Sequence, residues 1–229
     1  MSTIVSVRDL RREYTQGAVK VKALAGVSLD IEEGDFVVLM GPSGSGKSTL
    51  LNLIGGLDAP TAGAVEVEGR DLAKMSSSQR AKMRLERLGF VFQAYNLIPV
   101  LSAYENAEFV LLMQGMPAAE RRKRVLETFK SVGLEGLEGR RPSELSGGQQ
   151  QRVAVARAIA GKPALVLADE PTANLDSTTG AELVETMRHL NEAHGITFVF
   201  ATHDPKIMHR ARRIVRLVDG RIVSDERQD

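Results

Sequence analysis

Phe36-Val37-Val38-Leu39-Met40-Gly41-Pro42-Ser43-Gly44-Ser45-Gly46-Lys47-Ser48-Thr49 joins an unbroken apolar run to a glycine-rich turn and then to a helix-forming stretch. An apolar run this short, closed by turn residues, reads as a strand covered on both faces, the form strands take in parallel sheets. Residues 41 to 48 fit the spacing G-x-x-x-x-G-K-[S/T], and the preceding strand and following helical pattern, Lys47 to Ile54, supply the context that makes this spacing meaningful. Glycines at 41, 44 and 46 let the chain wrap so that the N–H groups of Ser43, Gly44, Ser45 and Gly46 converge on phosphate oxygens at the positive end of a helix. In such a loop Lys47 brings a mobile charge to the β- and γ-phosphates, Ser48 offers a hydroxyl to Mg²⁺, and Thr49 reaches the α-phosphate.

Working outward, β-rich runs occur at Ile4 to Val7, Asp35 to Met40, Ala64 to Val67, Phe90 to Phe92, Ala164 to Leu167, Thr197 to Phe200 and Ile214 to Leu217. Helical patterns fall between them at Lys47 to Ile54, Ala103 to Gln114, Ala118 to Val132, Gly148 to Ala160, Thr178 to Glu192 and Lys206 to Ala211. The alternation predicts an α/β fold around a mainly parallel sheet. Residues 94–151 carry helix signals and Gly/Pro breaks without a strand signal, so they read as a helical insertion. The flanking 1–93 and 152–229 form the core of one domain of 229 residues.

Composition narrows the possibilities. Lys+Arg 30 against Asp+Glu 29 leaves no excess charge to draw the chain to nucleic acid, and the absence of Cys removes disulfides and thiolate chemistry. No signal-peptide pattern opens the sequence, and its longest apolar runs are about five residues where a membrane span needs roughly 20. Any membrane role is expected to come from a partner. His189, His194 and His209 make no metal-ligand set.

Ala164 to Glu170 is an apolar strand ending in two acids, at the carboxyl edge where open sheets bind ligands. Asp169 suits Mg²⁺ held through water, and Glu170 suits a base that orients and deprotonates a water attacking the γ-phosphorus.

Leu145-Ser146-Gly147-Gly148-Gln149, opening the helix that runs to Ala160, resembles the signature of the ABC ATPase family. Its physics is a second anion nest at a helix N-terminus. The resemblance runs from Tyr14 to Gly220 and implies a RecA-like P-loop core, an antiparallel N-terminal β subdomain and a helical subdomain carrying the signature. It also implies that Gln93 ligates Mg²⁺ and senses the γ-phosphate, that His203 works with Glu170, and that Asp176, in Asn174-Leu175-Asp176, crosses a dimer interface. Tyr14 is implied to stack on adenine. Without the resemblance, Ser146 and Asp176 read as helix N-caps. ATP with Mg²⁺ is the implied ligand, shared head to tail between two subunits, with Ser146, Gly147, Gly148 and Gln149 of one facing the Lys47 loop of the other.

Gly41 to Asp58, Gly89 to Pro99, Glu105-Asn106 and Ala168 to Ser177 resemble the MacB/LolD/FtsE type, with Ala173 where most members have Gly. The resemblance implies a separate integral-membrane permease of the MacB/LolCE/FtsX kind, moving lipoprotein, peptide, antibiotic or haem, with this subunit on the cytoplasmic face of the membrane. The permease is expected to dock near Gln93, on exposed apolar residues of which Tyr95, Leu97 and Ile98 are the first candidates. An FtsE-like mechanical ATPase is the alternative, with a soluble ABC ATPase behind it.

Overall fold

The computed structural model describes residues 2–17, 19–204 and 210–228. Most of the helix expected at Lys206 to Ala211, and His209 with it, lie outside the described residues.

Five strands, β3 (Phe36–Met40), β6 (Leu88–Phe92), β7 (Leu165–Asp169), β8 (Thr197–Thr202) and β9 (Arg213–Val218), lie parallel in the order β9-β3-β8-β7-β6. A sixth, β10 (Arg221–Arg227), pairs antiparallel with β9 at the edge. Successive side chains of a strand point to opposite faces, and here the two faces feed two cores. Phe36, Val38 and Met40 meet Phe198, Phe200, Val166 and Ala168 in one core, while Val37 and Leu39 meet Val199, Ala201, Leu165 and Leu167 in the other. The Phe36 ring lies 4.7 Å from Phe200 and 5.8 Å from Phe198. Fully burying each such ring is worth about 1.5–3 kcal/mol.

The first core is closed by α3 (Ala103–Met113), α4 (Ala118–Ser131), α5 (Gly147–Ala160) and α6 (Ser177–His194). The second is closed by α1 (Lys47–Ile54) and by an antiparallel sheet of β1 (Thr3–Gln16), β2 (Val19–Glu32), β4 (Ala62–Val67) and β5 (Arg70–Asp71), ordered β2-β1-β4-β5. That antiparallel subdomain agrees with the fold the family resemblance implies. The strand read at Ile4 to Val7 is the start of a much longer β1, and β2 was not anticipated. Much of β2 faces solvent, and the alternation Val19, Val21, Ala23, Ala25, Val27, Leu29, Ile31 is the period of a half-buried strand, a signal that could have announced it. Likewise α2 (Ser77–Arg87) was not foreseen, because Met83 is its buried residue, although the Ser76/Gln79 capping box marks its start.

Between 94 and 151 the described residues hold helices and loops but no strand. The boundary expected at 151 falls inside α5, which packs in the same core as α3 and α4. Asn106, fully buried, organises the loop leading into α3. Its Oδ1 accepts from Ile98 N at 2.8 Å, and its Nδ2 donates to the carbonyls of Ile98, Leu101 and Ser102 at 2.9–3.2 Å.

Candidate nucleotide site

The carboxyl ends of β3, β6, β7 and β8 converge on a cavity of about 490 Å³. Its wall comprises Val21, Lys22, Ala23, Ser43, Gly44, Gly46, Lys47, Ser48, Thr49, Gln93, Glu170, Ala173 and His203. The loop between β3 and α1 sets its geometry. Gly46 caps α1 at φ 102, and a Cβ there would meet Ala23 O at 2.5 Å, so glycine is required by both conformation and contact. Gly41 approaches Leu217 O too closely for any side chain. Lys47 Nζ donates to Gly41 O at 2.7 Å and Pro42 O at 2.9 Å, which places its ammonium across the loop where phosphate would lie. Ser45, whose N–H was expected to face phosphate, donates that N–H to Pro42 O at 3.2 Å. It is buried, outside the cavity wall, and its hydroxyl has no hydrogen-bond partner among the described residues, while its carbonyl accepts from Gly220 N at 3.1 Å.

Ser48 Oγ donates to Asp169 Oδ1 at 2.8 Å, joining the helix start to the end of β7. One hydroxyl and one carboxylate, with most of an octahedral shell left to phosphate oxygens and water, fit Mg²⁺. Among the described residues no group of three or more His, Cys, Asp or Glu could hold a metal unaided. Burial pushes the Asp169 carboxyl above the usual carboxylate range and the Glu170 charge adds to the rise, while the Ser48 hydroxyl and Lys47 oppose it. A divalent cation would hold it ionised.

Glu170 sits at φ 46, an uncommon conformation for a residue other than glycine, with its N–H donated to Ala201 O at 2.9 Å. With this turn Glu170 lines the cavity, while Asp169, outside the wall, meets it through the Ser48 hydroxyl. Glu170 Oε1 lies 2.8 Å from His203 Nδ1, with the carboxylate side chain 16% and the imidazole 64% exposed. The pair is therefore a largely buried carboxylate bonded to an exposed imidazole, both in the cavity wall. Gln93, at the end of β6, lines the wall, and its carbonyl accepts from Asn174 Nδ2 at 2.9 Å.

Seven further expected site residues fall outside the cavity wall: Asp169, which meets it through Ser48, and Ser146, Gly147, Gly148, Gln149, Asp176 and Tyr14. Ser146 is the N-cap of α5, its Oγ accepting from Gln149 N at 3.3 Å while Gln149 Oε1 accepts from Ser146 N at 2.9 Å. Gly147 and Gly148 open that helix; a Cβ on Gly147 would meet the Tyr95 hydroxyl at 2.9 Å, and one on Gly148 the Thr179 methyl at 2.5 Å. Asp176 caps α6, accepting from Thr178 N and Thr179 N at 3.0 Å and the Thr179 hydroxyl at 2.6 Å, bonds that hold it below the usual carboxylate range. Tyr14, on β1, bonds Asp58 and stands beside the wall without joining it.

Val21, Lys22 and Ala23 entered the wall unannounced because β2 itself was not read. Ala173 also lines it, so the position at which this chain differs from its resemblance group faces the site.

A second concavity, about 390 Å³, lies beyond β6 and includes Leu57, Leu85, Phe90, Phe92, Val110 and Arg157. Leu57, in its lining, is 48% exposed, and Phe109 (43%), Leu112 (50%) and Met113 (57%) are exposed on α3, the helix that contributes Val110 to the lining. Tyr95, Leu97 and Ile98, the residues expected to be exposed here, are instead partly buried. Leu97 packs on the first core, Asn106 holds the Ile98 backbone, and Arg157 Nη2 holds Tyr95 O at 2.9 Å.

Comparison with known proteins places this arrangement. The family described as ABC transporter matches residues 24–173. An uncharacterized ABC transporter ATP-binding protein of Thermotoga maritima is 48% identical over 228 residues, covering 100% of this chain and 97% of the relative. A lipoprotein-releasing system ATP-binding protein LolD of Anaeromyxobacter dehalogenans is 48% identical, over 96% and 93% of the two chains. A macrolide export ATP-binding/permease protein MacB of Paracoccus denitrificans is 44% identical over 98% of this chain, which spans 33% of that relative's length. In structure, a dimeric, post-hydrolysis ATP-binding cassette of Methanocaldococcus jannaschii bound to ADP and Pi superimposes with a TM-score of 0.90 at 44% identity, over 97% and 98% of the two chains. The chain thus belongs to the ABC transporter family, as an ATP-binding and ATP-hydrolysing subunit of the MacB and LolD type.

Proposed function

We propose that two copies of this subunit close head to tail over two ATP molecules and thereby drive a separate membrane permease. The observation that supports the reading is the single cavity that gathers Lys47, Ser48, Gln93, Glu170 and His203 at the ends of parallel strands. In this reading the loop N–H groups and Lys47 hold the β- and γ-phosphates. When bound beside Ser48, Asp169 and Gln93, Mg²⁺ supplies charge neutralisation to those phosphates. Glu170 takes a proton from the attacking water, and His203 orients that water against the γ-phosphate.

The α5 N-terminus of the second copy supplies Ser146, Gly147, Gly148 and Gln149 to the far side of the phosphate, and its Asp176 lies along the interface. In a single chain the Ser146 and Asp176 side chains are engaged as helix caps, while the N–H groups of Gly147 and Gly148, in the first turn of α5, have no intrahelical acceptor and can serve an anion. ATP favours closure because the γ-phosphate then meets both copies, and cleavage removes that contact.

The permease would dock at the second concavity, using Leu57, Phe109, Leu112 and Met113 in place of the sequence-expected trio. Among the described residues no helix is long and apolar enough to cross a membrane, so the spanning segments would belong to that partner. Its cargo would be of the lipoprotein, peptide, antibiotic or haem class, with this subunit on the cytoplasmic face.

Glu170→Gln tests the reading. The variant keeps ATP binding, loses turnover by about 10²–10⁴-fold, and forms a dimer in ATP and Mg²⁺ on size-exclusion chromatography. A variant that turns over normally and stays monomeric at every concentration would overturn it.

A further inference from the structure

Tyr14 lies opposite Val21 in the β1–β2 pair, and Val21 belongs to the cavity wall. Opposed residues of an antiparallel pair carry their side chains on the same face, so the ring stands at the cavity's edge. Its hydroxyl donates to Asp58 Oδ2 at 2.8 Å. The Arg12 guanidinium lies over the ring, 4.5 Å from its centroid, and is also bidentate to Asp58, with Nε to Oδ2 at 2.9 Å and Nη2 to Oδ1 at 2.8 Å. Arg12, Tyr14 and Asp58 therefore form a closed triangle that fixes both ends of the ring and covers one of its faces with a cation.

Asp58 is not free to move with β1. Its N–H donates to Asn52 O at 3.3 Å, the Leu57 N–H donates to the same carbonyl at 2.9 Å, and its carboxylate accepts from Ala59 N at 2.7 Å. Asn52 belongs to α1, the helix that begins at Lys47. The aromatic ring is thus referenced, through one carboxylate, to the helix that carries the phosphate loop.

We infer that Arg12 and Asp58 are positioning residues for the nucleotide base: they present the uncovered face of Tyr14 at a set distance from the phosphate loop before ATP arrives. The inference rests on the reading of Tyr14 as the surface on which the base stacks. A pre-oriented ring spares the ordering of one side chain on binding, which corresponds to roughly a three- to tenfold gain in affinity for ligands that carry a base, and to none for ligands without one.

The test compares the full chain with Asp58→Asn, Arg12→Gln, Tyr14→Ala and the Asp58→Asn/Tyr14→Ala double variant. Isothermal titration calorimetry is run with ATP and with inorganic tripolyphosphate as the baseless probe, and thermal melts check that each variant is folded. Asp58→Asn and Arg12→Gln each weaken ATP about three- to tenfold while leaving tripolyphosphate unchanged. The double variant is no weaker than Tyr14→Ala, because the carboxylate acts through the ring. Equal weakening of ATP and tripolyphosphate would mean that Asp58 works on α1 and the phosphate loop, and would overturn the inference. So would unchanged ATP binding in both Asp58→Asn and Arg12→Gln when Tyr14→Ala weakens it. Unchanged ATP binding in Tyr14→Ala is a separate result, which removes the stacking role of Tyr14 itself.

Discussion

Gly148 stands where one hydrogen atom separates two helices: its Cβ would fall 2.5 Å from the Thr179 methyl at the start of α6. Thr179 cannot simply swing away, since its hydroxyl and its N–H are both bonded to Asp176. Gly148→Ala is therefore expected to destabilise the chain by about 1–3 kcal/mol through overpacking, despite the better helix propensity of Ala. Adding Thr179→Ser removes the obstructing methyl while keeping the bonds to Asp176, so the double variant regains most of the lost melting temperature. Its ATPase activity should stay low, because the new methyl still stands among the N–H groups that the proposed reading offers to the second copy's nucleotide. Recovery of activity together with stability would assign Gly148 to packing alone. The same glycine thus serves an intramolecular contact that the signature pattern did not disclose, and melting curves beside steady-state rates separate the two uses.

Along the elements, the Arg87 guanidinium at the end of α2 holds the Glu68 carboxylate, in the turn between β4 and β5, below the usual carboxylate range. The sign follows from linkage. A depressed carboxyl in the folded chain stabilises it fully above the unfolded value of about 4.3, and loses that contribution as pH falls through the folded value. Both side chains are partly exposed, so the pair is worth no more than about 1 kcal/mol. Glu68→Gln should lower the melting temperature at pH 7 and leave it little changed near pH 3, a difference that paired thermal melts resolve. These elements are also where the sequence was least readable. Strands such as β3, β7 and β8 are covered on both faces and spell unbroken apolar runs, so they were legible, as were the carboxylates and loop at their ends. β10 and α2 expose most of their surface, and their apolar residues are too few to set a period, whereas β2 carries a two-residue alternation from Val19 to Ile31 that could have announced it. Tyr95, Leu97 and Ile98 failed for a different reason. A short stretch of apolar residues does not say which side chains a loop turns inward, and that depended on Asn106 and Arg157 reaching in from two helices.

For the whole molecule, the separation of the signature from the cavity is the informative fact. Ser146 does not line the space that holds Lys47 and Glu170, so a single chain carries two halves of what the proposed reading makes one site. Symmetry then yields a prediction that does not depend on the permease. Lys47→Ala removes the phosphate-loop charge, and Ser146→Arg fills the nest of α5, so each homodimer has two defective sites. In a mixed dimer, the Ser146→Arg copy still has an intact Lys47 and the Lys47→Ala copy an intact Ser146, and a head-to-tail arrangement brings those intact halves together at one site. The opposite site carries both defects. Mixing the two purified variants should therefore restore ATP hydrolysis that neither shows alone, saturating below the wild-type rate and with a dependence on mixing ratio that peaks near equal amounts. Absence of any recovery, with mixed dimers demonstrated by differential tagging, would mean either that both sites must be intact before one can turn over, or that Ser146 acts within its own chain. Single-copy binding decides between these: ATP affinity of the Ser146→Arg monomer stays at the wild-type value in the first case and falls in the second.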